Sequence, residues 1–235
     1  RSSDGDKDII SSIEASEGKH CSDKADLLHR KTVETITQLS QLKNPNSMIS
    51  FSELANLATL GECCTALFGS GAGDKFRFIR CVWEVELRTR EVWELHQTTA
   101  SSTLHFDGRH EVIRWEKEQG EMFELAESVK HLNHKAQQWK SGKPNWGQKG
   151  VTVSLMANLP ATIYSGEIYA AKCTALVPKE QDQENISALW EFCRSGAFLS
   201  ALRQQNPKLA VEVKELLQVP FDRRYWISKG REAYP

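Results

Sequence analysis

The 235-residue sequence has no apolar run near the roughly 18 residues that a membrane helix needs. Its first 20 residues are acidic and polar and hold no hydrophobic signal-peptide core, so a cytoplasmic protein is expected. An excess of either charge is missing: 30 Lys and Arg face 31 Asp and Glu, a net charge of −1. That balance excludes a nucleic-acid binder that is basic all round, though not one with a single basic face. The six cysteines are scattered and form no C-x-x-C pair, which removes zinc knuckles and makes reduced thiols the expectation. There is no G-x-S-x-G nucleophile elbow and no H-E-x-x-H zinc motif. His131 and His134 are three apart, but no nearby carboxylate or cysteine completes a metal set.

What is present is an ordinary globular composition, 40% apolar and 26% charged, long enough to bury its own core. Residues 1–8 read as a polar end. Leu27, Leu28, Val33, Ile36 and Leu39 follow helical spacing and predict a helix over 22–42, stopped by Asn44-Pro45-Asn46-Ser47. Ser52, Leu54, Ala55, Leu57 and Leu60 open a second short apolar stretch. Strands are predicted over Phe76–Val85, Leu104–Phe106, Glu111–Trp115, Val151–Met156 and Glu167–Val177. Helices are predicted over 121–140 and over 186–205, the latter interrupted by Gly196, with a short helix or strand over 211–217. Pro220 opens a tail expected to be extended. The order implies an α+β fold: a strand-rich central region flanked by N-terminal and C-terminal helices. A helical segment or linker over 1–60 and a main domain over 61–235 are the expected divisions.

Charge is spread unevenly. Between Ser128 and Gly166 there is no Asp or Glu, while Lys130, Lys135, Lys140, Lys143 and Lys149 share the stretch with Trp139, Trp146 and Tyr164. A basic stretch interleaved with aromatic residues is a footprint for a nucleic-acid backbone, and equally for a solvated lysine-rich loop. Of the seven tryptophans, only Trp139 and Trp146 are read as base-stacking platforms, the rest as core. A second basic group follows the glycine loop Gly69-Ser70-Gly71-Ala72-Gly73-Asp74: Lys75, Arg77 and Arg80. The loop lacks the Lys-Ser or Lys-Thr of a Walker motif, and Asp74 takes the place of the third glycine of a dinucleotide fingerprint. In a strand, Arg77 and Arg80 would point to opposite faces. Asp74, Glu84 and Glu86 are the acids that a divalent-metal nuclease site would use.

Five segments, in order, resemble the C-terminal target recognition domain of bacterial N6-adenine DNA methyltransferases of the type IIG and type IIL restriction-modification and BREX-like phage-defence classes. GDKFRFIRCVWEV at 73–85 resembles their G-D-N-x-R-F-V-R-x-W-W-E-V segment, and His110–Glu116 resembles N-x-E-Y-V-V-N-W-E. Lys149–Ser154 resembles E-G-I-T-W-S, with Val153 where the family has Trp. ISALWEFCRSGAFLSALR at 186–203 resembles the helix that follows the recognition strands. Gln218–Trp226 with Glu232-Ala233-Tyr234-Pro235 resembles the V-P-F-D-x-x-x-W…A-x-x-x-Y-P tail. Where the family carries a Gly-Gly, aromatic-rich stretch, this sequence reads Ala100–Arg109.

The resemblance implies sequence-specific duplex DNA binding, with the catalytic domain and its S-adenosylmethionine loop outside this chain. Asn44-Pro45 and Asn206-Pro207 both lack the second proline and aromatic residue of the adenine-binding tetrapeptide, so no methyl transfer by this chain alone is expected. Expected partners are double-stranded DNA, the methyltransferase catalytic domain and other defence-system subunits, with no membrane. Arg77, Arg80, Arg109 and Arg114 are the guanine-reading candidates, and Gln138, Asn145 and Gln148 the adenine-reading ones. Lys75, Lys140, Lys143 and Lys149 are the phosphate candidates, with Trp146 beside them. The alternative is a protein-interaction module that docks partner subunits of a defence complex.

Overall fold

The computed structural model describes residues 8–15, 17–44, 49, 58–86, 92–132 and 134–235. The chain forms two compact units, residues 1–57 and 58–235. In the first, β1 (Ile9–Ser12) pairs antiparallel with β2 (Glu34–Thr37), and α1 (Cys21–Arg30) and α2 (Gln38–Gln41) complete the unit. The helix predicted over 22–42 is therefore broken by a strand. Thr32, Val33, Thr35, Ile36 and Thr37 are β-branched, lose side-chain freedom in a helix and favour the pairing with β1. The predicted apolar stretch from Ser52 to Leu57 lies outside the described residues.

The second unit runs α3 (Leu60–Cys63), β3 (Cys64–Thr65), α4 (Lys75–Phe78), β4 (Ile79–Cys81), β5 (Trp93–Gln97), β6 (Glu111–Arg114), α5 (Glu121–Val129), β7 (Gly150–Ser154), β8 (Ala161–Tyr164), β9 (Ile168–Tyr169), β10 (Cys173–Pro178), α6 (Gln183–Arg194), α7 (Ala197–Gln205), α8 (Val213–Leu217) and α9 (Arg223–Ala233). The fold is α+β, with the strands in the middle of the chain and helices at both ends. One four-stranded sheet has the order β3-β10-β7-β8, the other β4-β6-β5-β9. All pairings are antiparallel except β5 with β9. No described helix is long and apolar enough to cross a membrane.

The first sheet is covered by α6, which buries Ala188, Leu189, Trp190 and Phe192 together with Val151, Val153 and Leu176. Gly196 at φ +82° ends α6 and starts α7, where the glycine break was expected. The tail is not extended. The Asp222 carboxylate accepts the Tyr225 N–H at 3.1 Å, and this cap starts α9. Gly230 lets α9 lie against α6, because a Cβ there would stand 2.9 Å from the Ala188 nitrogen. Trp190 Nε1 donates to the Tyr234 hydroxyl at 3.0 Å, tying the end of the tail to the helix.

The second sheet also departs from expectation at its entry. The Asp74 carboxylate accepts the Arg77 N–H at 3.2 Å, so residues 75–78 make one helical turn and only Ile79–Cys81 join the sheet. The predicted helix over 121–140 ends at Val129, and a 3-10 segment over His134–Lys140 follows. Leu104–Phe106 is no strand, although it bonds to the edge of β8 through Leu104 N to Ala161 O and Ile163 N to His105 O. The predicted strand over 167–177 is two strands in two sheets. The Ala170–Lys172 turn separates them, held by Ala170 N to Gln97 O and Ala171 N to Ser70 O.

Candidate nucleic-acid interface

Three connections converge beside the second sheet. The glycine loop is fixed at its start, with Ser70 N donating to Tyr169 O at 2.7 Å and Gly71 N to Gln138 O at 2.9 Å. The loop after β5 is closed by Gln97, which is fully buried and donates through Nε2 to the carbonyls of Thr98 and Asp107. Gly108, at φ +69°, sits directly on this clamp: a Cβ would come within 2.6 Å of Gln97 Nε2 and of Thr98 O. At the loop's apex the Asp107 carboxylate accepts the Ser101 hydroxyl at 2.6 Å and the Ser101 N–H at 2.7 Å. These bonds, the hydroxyl first, hold its pKa below the usual aspartate value. The third connection is the Ala170–Lys172 turn.

Between them lies a groove made of two clefts of about 800 and 450 Å³ that share Thr99, Ala171 and Lys172. Its larger part carries the hydroxyls of Thr99, Ser101, Ser102 and Thr103 among apolar residues such as Leu155, Met156, Pro160 and Val211. Its smaller part carries Lys75, His96, His110 and Lys172. Among the described residues Glu111 is the only carboxylate lining the groove, and it is neutralised in place. Lys75 Nζ donates to its Oε1 at 2.8 Å, and His96 Nδ1 lies 3.2 Å from its Oε2. The His96 bond and then the ammonium pull Glu111 down to about 2, so it is ionised at neutral pH.

The predicted site residues do not form one surface. Lys75 alone of them lines the groove. Arg77 and Arg114 both bind the Glu121 carboxylate, and Arg114 also pairs with Glu116 at 2.9 Å. Arg80 is turned onto the carbonyls of Phe76 and Ile79. Arg109 is buried against Glu167 at 3.0 Å and bonds Gln97 and the Ile163 carbonyl. It holds the loop together and does not face a ligand. Asn145 is likewise a core residue: its amide donates to Ala175 O and accepts the Thr65 hydroxyl, both at 3.2 Å. Gln148 donates to Pro144 O, and the Gln138 carbonyl is taken by Gly71 and Ser141.

The basic stretch is also less basic in space than in sequence. Lys130 pairs with Glu127 at 3.1 Å, and Lys143 Nζ with Glu118 at 2.7 Å, both acids lying outside the acid-free run. Lys140 remains exposed over the Trp139 ring at 5.6 Å, and Lys149 is exposed with no ion pair among the described residues. Trp139 and Trp146 are not platforms. Trp139 is 3% exposed, and both pack on Trp115 with ring centroids about 5 Å apart. The exposed tryptophan is Trp83, at 73%, where the sequence predicts a core residue. Glu84 caps the Cys81 N–H at 2.7 Å, and among the described residues no three His, Cys, Asp or Glu side chains gather to hold a metal.

Sequence reasoning passed over His96 and Lys172, which line the groove. His96 sits in β5 with no motif around it, and Lys172 lies in a turn hidden inside one predicted strand. Compared with models of known protein families and with curated proteins, the chain matches none.

Proposed function

We propose that residues 58–235 bind duplex DNA as the target recognition domain of an adenine-N6 DNA methyltransferase of a restriction-modification or phage-defence system. The observation that carries this reading is the groove, whose only carboxylate among the described residues is already paired, while Lys75, Lys172, His96, His110 and the hydroxyl residues Thr99 and Ser102 line it. Hydroxyl, Lys and His donors on a wall without free carboxylates suit the oxygens of a phosphate backbone. The five resembling segments support it as well, since all lie in this one compact unit. Catalysis and S-adenosylmethionine belong on this reading to a domain outside the chain, and the cytoplasm is the place where such an enzyme meets DNA.

The test is a fluorescence-anisotropy titration of the full chain with random-sequence duplex at two salt concentrations, with and without magnesium. Binding that weakens steeply with salt and needs no magnesium supports the reading. Absence of binding at low salt overturns it in favour of a module that docks partner proteins. Cleavage dependent on magnesium would point to a nuclease.

A further inference from the structure

The His96 side chain is 5% exposed and lines the smaller cleft of the groove. Its Nδ1 faces the Glu111 carboxylate at 3.2 Å, while its Nε2 is buried with no hydrogen-bond partner. Glu111 can only accept, so Nδ1 carries the proton and Nε2 is the atom left to a ligand. A buried polar atom without a partner is an exception in folded proteins, and the residue that carries this one lines the cleft. The charges around it select the ligand. Lys75, His110 and Lys172 line the same cleft, and Glu111, its single acid among the described residues, has both oxygens committed to Lys75 and His96. Lys172 is exposed and has no ion pair among the described residues. At Gly73, which lines the same cleft, nothing lies within 4 Å of where a Cβ would stand, so the loop leaves space there.

We infer that this cleft is a socket for one phosphate group, held by His96 Nε2 and the Lys172 ammonium, with Lys75 bridging from Glu111. Binding takes up one proton from solvent on Nε2, so that Nε2–H donates to a phosphate oxygen while Glu111 holds Nδ1–H, and the ring sits between two anions. The phosphate comes either from a duplex backbone or from a small phosphorylated ligand. The first source rests on the DNA-binding reading, and the second does not.

The test uses the full chain with ¹⁵N-labelled histidine, titrated with inorganic phosphate at constant ionic strength and, separately, with duplex DNA. The His96 ring signals are assigned by their loss in His96→Gln. The inference expects both phosphate and duplex to shift the His96 signals saturably. It expects Lys172→Ala, a surface change that leaves the fold intact, to weaken phosphate binding several-fold. The same variant should lower the salt slope of duplex binding by about one. His96 signals moved by phosphate without any duplex binding would keep the socket, assign it to a small ligand and remove the DNA reading. Duplex binding that leaves the His96 signals and the Lys172→Ala slope unchanged would overturn the socket and keep the DNA reading. Signals unmoved by phosphate and no duplex binding would overturn both.

Discussion

The two sheets of the 58–235 unit have four strands each and are used differently. In β3-β10-β7-β8, every residue of β7 and β10 is buried, and helix α6 closes over them with Leu189, Trp190 and Phe192. In β4-β6-β5-β9, the buried positions include His96, Gln97 and Glu111, and the Arg109 side chain is buried beside them, each held by a named polar partner. The first sheet draws its stability from apolar area and close packing. The second gives up part of that area to a polar network that fixes two loops and a cleft. A scaffold and a polar face thus divide the work within one unit, which is how recognition sites are carried on rigid elements.

This division can be broken at either end. Trp190→Ala removes a large buried ring and the bond to Tyr234, and a loss of about 3–5 kcal/mol is expected in chemical denaturation. Duplex affinity per folded molecule should not change. Glu111→Gln leaves His96 and Lys75 without their anion and should cost about 2–3 kcal/mol. The pH dependence follows from the same residue. Its folded pKa of about 2 lies below its ordinary value of 4.5, so its contribution is complete above 4.5 and is lost as pH falls from there towards 2. Denaturation midpoints measured across that range should fall more steeply in the native chain than in Glu111→Gln.

Two smaller effects sharpen the comparison. Asn145→Ala should lower stability by about 1–3 kcal/mol, by removing the amide from the Ala175 carbonyl and leaving the Thr65 hydroxyl only the Val177 carbonyl, with duplex binding intact. A loss of affinity at unchanged stability would return Asn145 to the binding face. Lys140→Ala and Lys149→Ala, both outside the groove, should change duplex affinity in anisotropy titrations by less than Lys172→Ala does. Lys143→Ala should do less, because Glu118 already neutralises it.

Strands β6 and β7 and the break at Gly196 were legible because local pattern and burial agree there. The helical turn at Lys75–Phe78 was hidden because one cap, Asp74, outweighs the strand character of Phe76 and Phe78. The start of α9 was missed for the same reason, with Asp222 as the cap. The site was harder to read than the fold. Arg77 meets Glu121, Lys75 meets Glu111 and Arg109 meets Glu167 across tens of residues, so a count of free cations along the chain overstates the basic face. The Trp115, Trp139 and Trp146 cluster is likewise a product of tertiary packing, and spacing alone made two of its members look exposed.

The most direct test of the central claim is hydrogen exchange of the full chain with and without duplex DNA. The account predicts protection of the 69–75 loop, the 98–108 loop and the 170–172 turn on adding DNA, with α6 and α9 unchanged. Protection confined to α6 and α9, or none at a duplex concentration that saturates binding, would contradict it.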